Sequence, residues 1–216
     1  MPRILIINPN TSQSVTDRVV AACREAHPGQ QWLGTTARFG APYIASEASY
    51  AVAAHAVLDA FDFEVAQQGA FDAVLIACFG DPGLLALREV AGVPVVGLAQ
   101  ASFEAAGRRG PFAVVTGGKA WEPMLRRFAR MHQLDAQLRG IFTIALTGAQ
   151  IAQEPDRAQH DLLAACRSGI DAGATTVVLG GAGLAGMAAQ LQPHLAVTVL
   201  DNVLLGAQAV SERVAG

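Results

Sequence analysis

Charge is scarce in this sequence, and the little there is has no dominant sign. Asp, Glu, Lys and Arg make up 15% of the 216 residues and leave a formal net charge of −3. That balance lacks the basic footprint that holds nucleic acid or an anionic membrane surface, so neither is expected as a partner. Arg126, Arg127 and Arg130, the densest basic cluster, have the spacing of an exposed helix face. Cysteine is sparse too. Three residues, Cys23, Cys78 and Cys166, are an odd number at scattered positions, which argues against a disulfide framework and for a reducing cytoplasm. The five histidines stand apart, and no Cys/His set has the spacing of metal ligands. No apolar run approaches the roughly 20 residues of a membrane span. Met1-Pro-Arg-Ile4 passes straight into strand-like sequence, so no signal peptide is expected.

What the sequence has is apolar mass and a regular alternation of elements. Hydrophobic residues are 52% of the chain, enough to bury a full core as one large or two small domains. The same composition leads us to expect a homo-oligomer. Strand-like runs at 3–8, 32–36, 72–77 and 93–97 alternate with helical segments at 12–26, 46–68 and 82–90. The plan repeats with strands at 112–116, 141–145, 175–180 and 196–200 and helices at 121–132, 156–173 and 203–214. Such alternation predicts parallel sheets joined by helical crossovers. The halves match in register: 4–8 answers 112–116, 73–78 answers 176–181, and 95–98 answers 197–200. An offset of roughly a hundred residues reads as one duplicated unit, not a solenoid. The predicted fold is therefore α/β with two pseudo-symmetric domains, each a mainly parallel sheet flanked by helices. Residues 1–98 with 204–216 form the first and 99–203 the second. The site belongs in the cleft where the carboxyl edges of both sheets meet.

Cys78 is the chemically loaded residue of the first half. It follows the apolar run Asp72-Ala-Val-Leu-Ile-Ala77, at the carboxyl end of a strand buried on both faces. Asp81-Pro82 after it reads as a helix start, with a carboxylate N-cap and proline at the first helical position. A helix N-terminus there would favour thiolate over thiol; alternatively Cys78 is a small buried hydrophobe. By the internal match, Gly181 occupies the equivalent point on the opposite wall. Tyr43, in the loop after Gly40-Ala-Pro42, either caps the cleft or packs beside it. Asn10 and Thr11 either meet a ligand or cap the first helix. Cys23 and Cys166 fall mid-helix and read as core, and His55 as a partly buried structural residue.

Two glycine-rich segments imitate phosphate sites. Gly181-x-Gly183-x-x-Gly186 follows a strand, and Asp201 sits near a ribose-binding distance, but too few residues follow to complete a nucleotide-binding half. Gly117-Gly118-Lys119 lacks the upstream glycine and the Ser/Thr of a phosphate loop.

Three motifs together carry a resemblance. Asn8-Pro-Asn-Thr-Ser12, Ala77-Cys-Phe-Gly-Asp-Pro-Gly83 and Val114-Val-Thr116 resemble the hydantoin racemase branch of the aspartate/glutamate racemase superfamily, over essentially the whole chain. The resemblance implies two α/β domains and no cofactor. It also implies a cysteine from each domain flanking the acidic carbon α to a carbonyl, in a hydantoin-like or amino-acid-like substrate carrying a carboxylate or imide. Cys78 matches the first cysteine. Where the second belongs, this chain reads Leu179-Gly-Gly-Ala-Gly183, with glycine at 181. A single thiol suits other chemistry as well. Arylmalonate decarboxylases of the superfamily look similar and use one cysteine, at the second-half position, to protonate an enediolate. Related maleate isomerases suggest a nucleophilic addition. A cleft that only binds a small ligand is the alternative outside enzymology. In each version the supporting groups are Asn10, Tyr43, the Thr116 hydroxyl and backbone N–H groups around Phe79-Gly80, Gly117-Gly118 and Gly181-Ala182-Gly183, which would bind a carboxylate or stabilise an enolate.

Overall fold

A computed structural model describes residues 1–146 and 153–215. In the first half β1 (Arg3–Asn8), α1 (Gln13–Ala26), β2 (Gln31–Thr36), α2 (Glu47–Gln68), β3 (Ala73–Ile76), α3 (Leu84–Val90), β4 (Val95–Gly97) and α4 (Leu98–Gly107) follow in turn. The second half holds β5 (Phe112–Gly117), α5 (Trp121–Met131), β6 (Leu138–Ile144), α6 (Pro155–Asp171), β7 (Thr176–Gly180), a short α7 (Met187–Leu191), β8 (Thr198–Asp201) and α8 (Asn202–Ala215). Each half is a four-stranded, all-parallel sheet, in the orders β2-β1-β3-β4 and β6-β5-β7-β8. The α/β class and the duplication are as the sequence predicted.

Burial on both faces explains why the central strands are uninterrupted apolar runs. Along β1, Ile4 and Ile6 face α1 and pack with Val19 and Cys23, while Leu5 and Ile7 face α2 and pack with Val57 and Phe61. The core on the Ile4 side runs on into the second half through Phe103, Phe112, Val114 and Val178. The C-terminal helix α8 lies close enough to α4 and β3 that a side chain at Gly206 would meet Leu98 and Leu75. Ser211 on α8 donates to the Gln30 carboxamide oxygen at 2.7 Å.

Register confirms two of the three predicted correspondences. Ile4 pairs with Ala73 and Phe112 with Thr176, as the matched halves require. The third slips by two residues: Val74 pairs with Val95 and Val177 with Val199, so Val95 answers Val199, not Val197. The lead-in to β8 is taken up by Gln192, whose carboxamide donates to the Val197 carbonyl and accepts the Val199 N–H.

Cys23 and Cys166 are fully buried in α1 and α6. Burial and the nearby Asp201 carboxylate push the Cys23 thiol up to about 12. His55 departs from expectation. It is exposed on α2, edge-on to Phe39 at 5.3 Å, because the buried stripe of that helix runs through Ala53, Ala56, Val57 and Ala60.

Candidate active site

The carboxyl ends of β1, β3, β5 and β7 converge on a cleft of about 330 Å³. Asn8 ends β1 and organises the loop beyond it. Its carboxamide oxygen accepts the Asn10 N–H at 3.2 Å, and the Asn10 carboxamide in turn accepts the Ser12 N–H at 2.8 Å. Asn10 and Ser12 thereby face the cleft. β3 extends one further rung, Ala77 N–H to the Ile7 carbonyl at 2.8 Å, and delivers Cys78 to the cleft wall. Cys78 is 7% exposed and lines the hollow.

The opposite wall comes from the second half: Thr116 and Gly117 at the end of β5, and Gly180, Gly181, Ala182 and Gly183 at the end of β7. Asn202 fixes that turn by donating to the Leu179 carbonyl at 2.8 Å and the Gly181 carbonyl at 3.2 Å. Gly181 has φ 127° and ψ 125°, a backbone that L side chains rarely adopt. There is open room in front of it: an added Cβ would lie 3.8 Å from Leu184 and from Thr116 Oγ1. Gly180 is crowded instead, since the Phe79 ring from the first wall fills the space a side chain there would need. Tyr43 closes the rim, its hydroxyl donating to the Gly117 carbonyl across the cleft at 3.0 Å.

All of the sequence-predicted positions line this cleft except Gly80, Gly118 and Thr11, the last of which is exposed outside it. Gly80 turns its back on it and faces a second hollow, its φ of 147° placing Trp121 and Tyr50 where a side chain would be. Gly118 is covered by the Tyr43 hydroxyl. Trp121, Ser12, Val15, Pro42, Ile44 and Leu184 also line the cleft and were not singled out from the sequence. Trp121 had a readable signal, because it follows the Gly117-Gly118 turn at the same carboxyl edge.

The expected helix start at Asp81-Pro82 is not there. Asp81 is left-handed at φ 55°, Gly83 likewise at φ 77°, and α3 begins only at Leu84. The Asp81 carboxylate is drawn elsewhere, accepting the Ala99 and Gln100 N–H groups of α4 at 2.8 and 2.7 Å. The expected thiolate fails for the same reason. The anion-seeking amides of α4 are occupied by Asp81, and burial first, then the Asp81 charge, push the Cys78 thiol well above its ordinary range. Both causes favour the thiol over the thiolate at Cys78. Asp201, the acid of the imitation dinucleotide motif, is equally engaged: it accepts the Val203 and Leu204 N–H groups with one oxygen and the Gly186 N–H with the other.

The cleft lining is neutral. Its polar side chains are those of Asn10, Ser12, Tyr43, Cys78, Thr116 and Trp121, joined by the backbone of the glycine turns, and no Lys, Arg, His, Asp or Glu lines it among the described residues. Nor does any cluster of three His, Cys, Asp or Glu among those residues have the arrangement of a metal site. No helix among them is long and apolar enough to cross a membrane.

Two parallel four-stranded sheets, each flanked by helices, with a cleft between their carboxyl edges, define a two-lobed α/β fold. The family model described as Asp/Glu/Hydantoin racemase matches residues 4–210, and the chain belongs to that family. A hydantoin racemase of Paenarthrobacter aurescens is 31% identical over 208 residues, covering 93% of this chain and 86% of its own. Allantoin racemase from Klebsiella pneumoniae superimposes with a TM-score of 0.92 at 32% identity, over 100% of this chain and 88% of its own. Arylmalonate decarboxylase shares the fold, with a TM-score of 0.71 at 16% identity over 100% of this chain and 93% of its own.

Proposed function

We propose that this protein is a cofactor-independent racemase acting at the carbon α to a carbonyl of a hydantoin-like ring: a second group takes the α-proton from one face and the Cys78 thiol returns a proton to the other, the roles reversing for the opposite enantiomer. The observation that carries the reading is the position of Cys78, a thiol on the wall of a cleft built from both halves. The neutral lining supports an uncharged ring over a free carboxylate. A free carboxylate in a dry pocket calls for a cation, whereas a cyclic imide or ureide is served by carboxamide, hydroxyl and backbone groups such as Asn10, Ser12, Thr116 and Gly181–Gly183. The N–H groups of those turns would stabilise the enolate that forms when the α-proton leaves, a single donor of this kind being worth roughly 3 kcal/mol. The division into residues 1–98 with 204–216 and 99–203 belongs to this reading, as do a cytoplasmic setting and a homo-oligomeric state.

Glycine at 181 favours one second reading, decarboxylation of a disubstituted malonate, which needs a single proton donor. Incubating one enantiomer of a 5-substituted hydantoin in D₂O, followed by NMR and chiral chromatography, decides. Deuterium at C5 with loss of enantiomeric excess is the expected result. Carbon dioxide from an arylmalonate with no exchange on the hydantoin would establish the second reading. Ligand-dependent melting without turnover of either would leave a binding protein.

A further inference from the structure

The two halves meet one electrostatic need by opposite routes. In the second half Asp201, the last residue of β8, caps α8 locally by accepting the N–H groups two and three residues on, from Val203 and Leu204. In the first half the register puts Gly97 at the place of Asp201, through the pairs Ile76 with Gly97 and Leu179 with Asp201. The matching amides, Ala99 and Gln100, receive their carboxylate from Asp81, 18 residues from Ala99, in the turn that bears the sulfur. Gly97 is bare because a side chain there would collide with the Asp81 carboxyl group.

The remote route is the costlier one. It holds a non-glycine residue at φ 55° and buries a carboxylate at 4% exposure, where an aspartate at the strand end would do the same capping without strain. What the remote route adds is a tether. Asp81 N–H donates to the Cys78 carbonyl at 3.1 Å, and its side chain is bolted to α4, so the four-residue turn is fixed at both ends.

We propose that Asp81 is a positioning residue, a strut that fixes the Cys78 turn against the N-terminus of α4 and so sets where the thiol stands in the cleft. The inference rests on the reading of Cys78 as the reacting group, yet its test does not need turnover. The charged and titratable groups around the strut are Tyr50 from α2, Cys78 of the turn itself and Arg88 from α3, with Glu104 of α4 beside Arg88.

The decisive variant transplants the second-half solution into the first: Asp81→Gly together with Gly97→Asp. The glycine accepts the left-handed backbone, and the new aspartate sits at a β-region N-cap, φ −107°, as a local cap requires. Helix capping is thereby kept while the tether is cut. The variant should melt within a few degrees of the parent, yet the rate at which iodoacetamide alkylates Cys78 should rise about tenfold as the turn loosens. A folded double variant whose Cys78 alkylation rate and pH profile match the parent would show Asp81 to be a helix cap and nothing more. Should the double variant not fold, Asp81→Asn takes its place: asparagine tolerates the backbone, but its NH2 group cannot accept the bond that the second carboxylate oxygen takes from the Gln100 N–H, so alkylation of Cys78 should again quicken. An alkylation rate equal to the parent's in a folded Asp81→Asn would overturn the proposal. Failure of hydantoin turnover in the parent would count against the proposed reaction and leave this result standing.

Discussion

Replacing Gly181 by cysteine puts the proposed two-sided chemistry to its hardest test. The new Cβ meets nothing closer than 3.8 Å, so no neighbour has to move. The backbone is the obstacle: φ 127° at a residue with a side chain costs about 1–3 kcal/mol. In a chain of this size that lowers Tm by roughly 2–12 °C. Against this stands the gain from a second proton carrier, typically a factor of about 10² to 10⁴. Gly181→Ala supplies the control, carrying the same backbone strain without sulfur. Racemisation of a single hydantoin enantiomer near neutral pH, corrected for the uncatalysed rate, should be fastest for Gly181→Cys and depressed for Gly181→Ala. If the cysteine variant folds, melts in the expected range and racemises no faster than the alanine variant, Gly181 does not face Cys78 across the substrate. The equivalence of the two walls would then be only topological.

Other outcomes follow from the same geometry. Cys78→Ala should keep the fold and cut turnover by about 10² or more, measured as loss of deuterium incorporation at the substrate carbon. Gly180→Ala drives a methyl into the Phe79 ring, an overpacking worth about 1–3 kcal/mol in urea unfolding. Tyr43→Phe removes the bond to the Gly117 carbonyl and should cost about 1 kcal/mol, read as a higher KM at little change in kcat. Burial raises the Asp81 carboxyl to about 7 from an ordinary 3.8. The folded state holds this proton where the unfolded chain has released it, so the group's contribution is full below about pH 4 and is lost as pH rises toward 7. Asp81→Asn should flatten that part of the curve of Tm against pH.

The sheets and the duplication were legible because the strands are buried on both faces and their apolar runs repeat. The cleft was legible because ligand sites in such sheets gather at the carboxyl edge, and Cys78, Thr116 and Gly181 all end strands. The electrostatics were not. Asp81-Pro82 has every local mark of a helix start, yet its carboxylate goes to amides 18 residues away, and no local pattern announces a partner at that distance. The two-residue slip of β8 was hidden similarly, since Gln192 replaces part of the ladder with side-chain bonds. His55 was misjudged because α2 is alanine-rich, so its apolar residues do not mark which face turns inward.

The ring of Phe79 seated over Gly180 ties the two halves at the floor of the cleft. A peg from one lobe rests in a socket of the other, so drawing the halves apart would bare an aromatic face to water, a cost that favours the shut arrangement.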